Sequence, residues 1–274
     1  PPRSTPSNSS AASDVYKRQK SIFAPSPGFP RMFSFGTFVS SRIISPVGDD
    51  LDPSLSRSVT VIPLKFFGST TKALEILYVL EGIKPVARQG YYDSELPKIK
   101  QFCRQNNLCI ELSPYKVILV DAKYPGQYSN KGIKVKSSDP RRGMYFAYIS
   151  KDEAKAVQAN CLELNSRHKE LGLALGYPEC CANFFQRYEP DCSKTDSNYT
   201  PLTSRNSKGR IFPFQNNILK QNQDITLLNH FPCSFACQLS VRLANKHLEA
   251  IKKHDRNLAN NIIKQLKGEF RTGK

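Results

Sequence analysis

Two short segments constrain this chain more than anything else in it: Gly176-Tyr-Pro-Glu-Cys-Cys-Ala-Asn-Phe-Phe185 and His230-Phe-Pro-Cys-Ser-Phe-Ala-Cys237. In the first, Gly176 suits the end of one helix and Pro178 the first position of the next, which places Cys180 and Cys181 in a first turn. In the second, Pro232 precedes a turn and Ser234 is a fitting N-cap, so Cys237 falls in a first turn with Cys233 just ahead of it. Unpaired N–H groups and the positive end of the helix dipole favour thiolates at such places, and the thiolate is the form that binds metal. The fold is therefore expected to bring Cys180, Cys181, Cys233 and Cys237 together as a four-sulfur set, suited to zinc or an iron–sulfur cluster.

Each cysteine also has a plainer reading. Cys181 shares a helical stripe with Phe184, Phe185 and Tyr188, and Cys237 shares one with Val241, Ala244, Leu248 and Ile251, as small core residues would. Adjacent cysteines, and a pair spaced Cys-x-x-x-Cys, depart from common zinc and ferredoxin patterns. A vicinal pair is accommodated more easily when its sulfurs reach different irons, which tilts the expectation toward a cluster. His230 and Cys192 are additional candidate ligands, or else outlying residues. Cys103, Cys109 and Cys161 fall inside expected helices and a strand and are read as core.

The paired motifs, with Lys84-Pro85 and Tyr91-Tyr92-x-x-Glu-Leu-Pro97 upstream, resemble an uncharacterised and mainly prokaryotic family, the domain of unknown function 483. The likeness spans about residues 58–255. It implies one shared cysteine site and no established reaction.

At 274 residues and 39% hydrophobic the chain can bury a core without disulfides. Eight cysteines are too few and too unevenly spaced for a secreted disulfide scaffold, and a reducing compartment fits best. Residues 1–20 resemble a translated library adapter and are set aside from fold reasoning. They hold Arg3, Lys17, Arg18 and Lys20 against Asp14, so +14 of the formal +17 charge lies elsewhere. Residues 21–48 lack Asp and Glu, and Phe23-Ala24-Pro25 resembles the phenylalanine motif of transit peptides in algae with complex plastids. Residues 21–55 are thus a disordered leader or a transit peptide, and the location cytoplasmic or plastid stroma. No apolar run is long enough to span a bilayer, so no membrane partner is expected.

The expected fold class is α+β: a small sheet with helices in residues 56–150 and an all-helical, metal-binding portion in 151–274, the two forming one domain or two. A strand is expected at 58–67, then a helix capped by Ser69 with Ala73, Ile76, Leu77 and Leu80 inward, closed by Gly82. A helix capped by Ser94 runs to about residue 107. Strands follow at 109–112, 115–122 and 144–149, with 123–142 a long loop. Ser150-Lys-Asp-Glu153 forms a capping box for a helix to about Leu164. A further helix covers 166–175, residues 189–209 are loop, and a last helix runs from Ser234 to about Leu266, broken near His254-Asp255.

Gly209-Arg-Ile-Phe-Pro-Phe-Gln-Asn-Asn217 is either one wall of a pocket, using Arg210, Asn216 and Asn217, or an ordinary packed loop. No P-loop, dinucleotide fingerprint, zinc-protease motif or nucleophile elbow is present. His168, His247 and His254 are assigned to solvated helix faces. Residues 201–274 carry 13 Lys and Arg against 4 Asp and Glu, mostly on the last helix. That face is solvated or binds RNA or DNA weakly through phosphates. Two functions fit: an iron–sulfur or metal-dependent enzyme of unknown substrate, or a zinc-stabilised nucleic-acid-binding module.

Overall fold

Every residue from Ala73 to Val79 is buried, so the first helix, α1 (Thr70–Leu80), is packed all round and not on one stripe. The computed structural model describes residues 64–119, 132–192, 197–209 and 211–267. Ala73, Ile76 and Val79 face a cluster that includes Ile99, Phe102, Ala147 and Ile149, whereas Leu74, Leu77 and Tyr78 join Leu227, Ala244, Leu248 and Ile251. The two halves of the sequence therefore share a core through α1. Ser69 caps the helix by accepting from the Lys72 amide at 3.2 Å, and Gly82, at φ +73°, closes it in a left-handed turn that bulkier residues resist.

The fold is α+β, as the pattern of the sequence requires. Among the described residues the sheet has β1 (Ala87–Tyr92), β2 (Cys109–Leu112), β3 (Tyr115–Leu119), β4 (Gly132–Lys136) and β5 (Met144–Ser150). All pairings are antiparallel. β1 lies along the whole of β5, from Ala87 opposite Ile149 to Tyr92 opposite Met144. On the other edge of β5, β2 pairs through Cys109 opposite Ser150, and β3 joins where Val117 meets Met144, with β4 outside it. Helix α2 (Leu96–Gln105) buries Leu96, Ile99, Phe102 and Cys103, each large apolar side chain contributing about 1.5–3 kcal/mol.

Several expectations need correction. Leu64–Phe67 is a turn of 3-10 helix, not the end of a strand; the rest of that expected strand, like residues 1–55, lies outside the described residues. Helix α2 begins after Glu95, whose carboxylate accepts from the Tyr92 amide at 2.8 Å, so Ser94 is no cap. β4 occupies part of the expected loop, and its period-2 alternation of Ile133 and Val135 with lysines explains why. In the Ser150–Glu153 segment Asp152, not Ser150, caps α3 (Glu153–Leu164), accepting from the Ala154 amide at 3.0 Å. Ser150 is occupied elsewhere: its hydroxyl donates to the Pro85 carbonyl and accepts from the Asp152 amide.

The cysteine-bearing half is helical: α4 (His168–Ala174), α5 (Glu179–Cys192), α6 (Thr200–Arg205), α7 (Gln238–His254) and α8 (Arg256–Lys267). α5 runs on through Pro190, and α6 lies where loop was expected. The break between α7 and α8 falls at Asp255, as anticipated. His247 is buried against Tyr78, and His254 bonds Glu81 through Nε2 at 2.7 Å, so neither is the solvated residue expected; His168 is half-buried beside Phe185. Cys161 is exposed, which removes it from the core; Cys103 is buried and Cys109 half-buried. Among the described residues no helix is long and apolar enough to cross a membrane.

Candidate metal centre

Local chemistry brings the first cysteine pair to a helix start. α4 ends at Gly176, at φ +81°, where an added Cβ would come within 2.8 Å of the Pro85 ring. Glycine is required there twice over, by backbone conformation and by that close approach. The Pro178 carbonyl then accepts from the amides of Cys181 and Ala182, and α5 starts with Cys180 and Cys181 at its second and third positions. Pro178 itself sits just before the helix, one position earlier than expected.

The second pair is built differently from the expectation. Ser234 forms a turn, its carbonyl accepting from the Cys237 amide at 3.0 Å and its hydroxyl from the Ala236 amide at 3.1 Å. α7 starts only at Gln238, and Cys237 is its N-cap residue, with extended backbone. The carbonyls of Pro232, Cys233, Phe235 and Cys237 and the Phe235 amide are satisfied from outside the segment. Thr203 donates to the Pro232 carbonyl at 2.8 Å, Asn206 to that of Cys233 at 3.2 Å, and Ser207 accepts from the Phe235 amide at 2.8 Å. Asn216 donates to the carbonyls of Phe235 and Cys237 at 2.9 and 3.1 Å. α6 and the residues after it therefore form a clamp on the cysteine loop, a role that polar composition alone concealed.

The four sulfurs lie within 4.8 Å of one another. Cys180 is 3.7 Å from Cys237, and Cys181 is 3.8 Å from both Cys180 and Cys237. These separations far exceed a disulfide bond of about 2.05 Å, and all four are free thiols. They match the edges of a tetrahedron with metal–sulfur bonds of about 2.3 Å, which measure roughly 3.8 Å. With the Cys233 sulfur within 4.8 Å of each of the other three, the four sulfurs form a group that could hold a metal.

Without a cation the set sustains little charge. Bonds from the Cys181 and Cys233 thiols drive Cys237 well below the ordinary thiol range. Its bonds to Cys233 and Cys237, then burial, hold Cys181 far above that range; burial and the nearby Cys237 raise Cys180. A dication inverts this balance and favours sulfur anions at all four positions. Two helix starts and the Cys233 amide, 3.3 Å from the Cys181 sulfur, supply further positive character.

The other sequence candidates fall outside this set. Cys192 lies at the far end of α5, packed with Phe184 and Tyr199. His230 is buried, with Nε2 on the Ser240 hydroxyl at 3.0 Å, one residue removed from the sulfurs. Asn216 and Asn217 are buried, and the side-chain amide of each donates to backbone carbonyls, that of Asn217 to Leu266 at 2.8 Å. Arg210 lies outside the described residues. Ser240, 3.2 Å from the Cys181 sulfur, was not singled out by the sequence, although a hydroxyl three residues after a helix-start cysteine was the available signal. Comparison of the chain with known protein families, curated proteins and solved structures finds no match, so the geometry carries the functional argument.

Proposed function

We propose that Cys180, Cys181, Cys233 and Cys237 hold one zinc ion as a closed structural centre, and that the protein is a zinc-stabilised binding module. The carrying observation is the spacing of 3.7–3.8 Å among the Cys180, Cys181 and Cys237 sulfurs, with the Cys233 sulfur within 4.8 Å of each. Four thiolates complete the coordination of zinc, whereas a catalytic zinc keeps one position open. The ion ties the start of α5 to the start of α7, and such a site contributes on the order of 10 kcal/mol to folding. The enzyme reading, with an iron–sulfur cluster and an unknown substrate, rests on the adjacent cysteines. Metal and acid-labile sulfide analysis of protein purified without oxygen separates the two. One colourless zinc per chain is expected; brown protein with sulfide contradicts the proposal.

The partner we propose is a nucleic acid, held weakly through phosphates. Arg242, Lys246, Lys253, Arg256, Lys264 and Lys267 on α7 and α8 are exposed. A basic face without base-reading elements supports salt-sensitive, sequence-independent binding. Titration of mixed oligonucleotides at two salt concentrations checks it, and the absence of binding at low salt would discard it. On the paired motifs alone we also propose kinship with the domain of unknown function 483 family. A member of that family with its motif cysteines far apart would contradict this.

A further inference from the structure

Resting on the metal reading above, we infer that Ser240 and His230 are positioning residues for the ion, a two-step relay that holds the Cys181 thiolate in place. Cys181 is 2% exposed, so water does not solvate the negative charge a metal-bound sulfur carries. Two donors lie against it, the Cys233 amide at 3.3 Å and the Ser240 hydroxyl at 3.2 Å. A thiolate bound to a metal has no proton to give, so the Ser240 hydroxyl must donate to it. The Ser240 oxygen is then free to accept, and its partner is His230 Nε2 at 3.0 Å. The proton of His230 therefore resides on Nε2. Ser240 is fully buried and His230 8% exposed, which leaves no competing solvent for either bond.

The ring of His230 is itself placed. Tyr177, beside the first cysteine pair, lies against it with centroids 4.9 Å apart, and the Tyr177 hydroxyl donates to the Asn229 carbonyl at 3.2 Å. Both cysteine segments thus meet at this ring. Outer groups of this kind orient metal ligands and are commonly worth 10- to 100-fold in metal affinity. This also explains a histidine next to a cysteine site that is not a ligand. Its Nδ1, buried and without a hydrogen-bond partner among the described residues, becomes a bare acceptor.

The test uses the full chain loaded with Zn2+ and, separately, with Co2+. Long-range proton–nitrogen spectra of the zinc form should show His230 protonated at Nε2 only. Chelator competition should show Zn2+ held about 10- to 100-fold more weakly in Ser240→Ala, with the same stoichiometry. The sulfur-to-cobalt charge-transfer band should shift in that variant, which lost packing alone would not produce. A proton on Nδ1 of wild-type His230, or unchanged affinity and band position in Ser240→Ala, overturns the relay. Wild-type protein that takes up no Zn2+ overturns the metal reading itself, and the relay with it.

Discussion

His247 lies flat on Tyr78, ring centroids 3.8 Å apart and planes within 4° of parallel. Its Nδ1–H donates to the Leu227 carbonyl at 2.7 Å, and the ring is fully enclosed. Burial, aided by the Lys84 cation and opposed by the bond to Leu227, depresses its pKa from 6.5 to about 3. The unfolded chain takes up this proton first as the pH falls. The stabilisation is therefore complete above about pH 6.5 and is lost toward pH 3, at about 1.4 kcal/mol per pH unit. Unfolding free energies from pH 7 to 5 should fall less steeply in His247→Asn, which keeps a donor for Leu227 without titrating. Equal slopes would place the pH dependence elsewhere.

Asp224 caps a helix from 155 positions away. Its carboxylate accepts from the Ser69 hydroxyl at 2.7 Å and the Thr71 amide at 3.0 Å, and also from the Thr70 amide. Burial alone would raise its pKa; these bonds outweigh it and hold the carboxyl below its usual range. Because α1 unites both clusters, Asp224→Ala should cost about 1–2 kcal/mol, and more than Asp224→Asn, which tolerates the left-handed backbone at φ 61°. Denaturant midpoints check this.

Much of the fold was legible because it followed periodicity. α1, α3, the break at Asp255, β2 and most of β5 follow apolar spacing, and Gly82 and Gly176 sit where a left-handed turn ends a helix. The misses share a cause: side chains were assigned local roles when their partners lie far along the chain. Ser150, read as a cap, serves Pro85; His254, read as solvated, bonds Glu81; and Thr203, in a stretch read as loop, serves Pro232. β1, with Gly90 and no β-branched residue, is a strand because it pairs along the length of β5. At the site, residue type and helix-start chemistry picked out the four sulfurs. Sequence spacing could not supply their separation, which the packing of the start of α5 against the start of α7 sets.

The clamp on the second cysteine pair should be measurable by itself. Thr203→Val keeps the shape but leaves the buried Pro232 carbonyl without its donor, at a cost of about 1–3 kcal/mol. Release of Zn2+ to a chelator should be faster in this variant. An unchanged release rate would mean that α6 is not needed to hold the loop.

Thiol reactivity should sort the eight cysteines. Exposed Cys161 should alkylate first, and Cys103, buried with its pKa pushed up to about 12, last. Cys180, Cys181, Cys233 and Cys237 should become reactive together once a chelator is added. Cys192→Ala should keep full metal content, since Cys192 packs with Phe184 and Tyr199 at the far end of α5. Protection of the four cysteines that persists in the chelated protein would mean that packing, not metal, shields them.

X-ray absorption at the metal edge of the wild-type protein tests the central claim most directly. One zinc surrounded by four sulfurs at about 2.3 Å, with no second metal in range, is the expected result. An iron edge with neighbouring iron would contradict the single-ion centre, and a stably folded protein with no metal edge would contradict the metal site altogether.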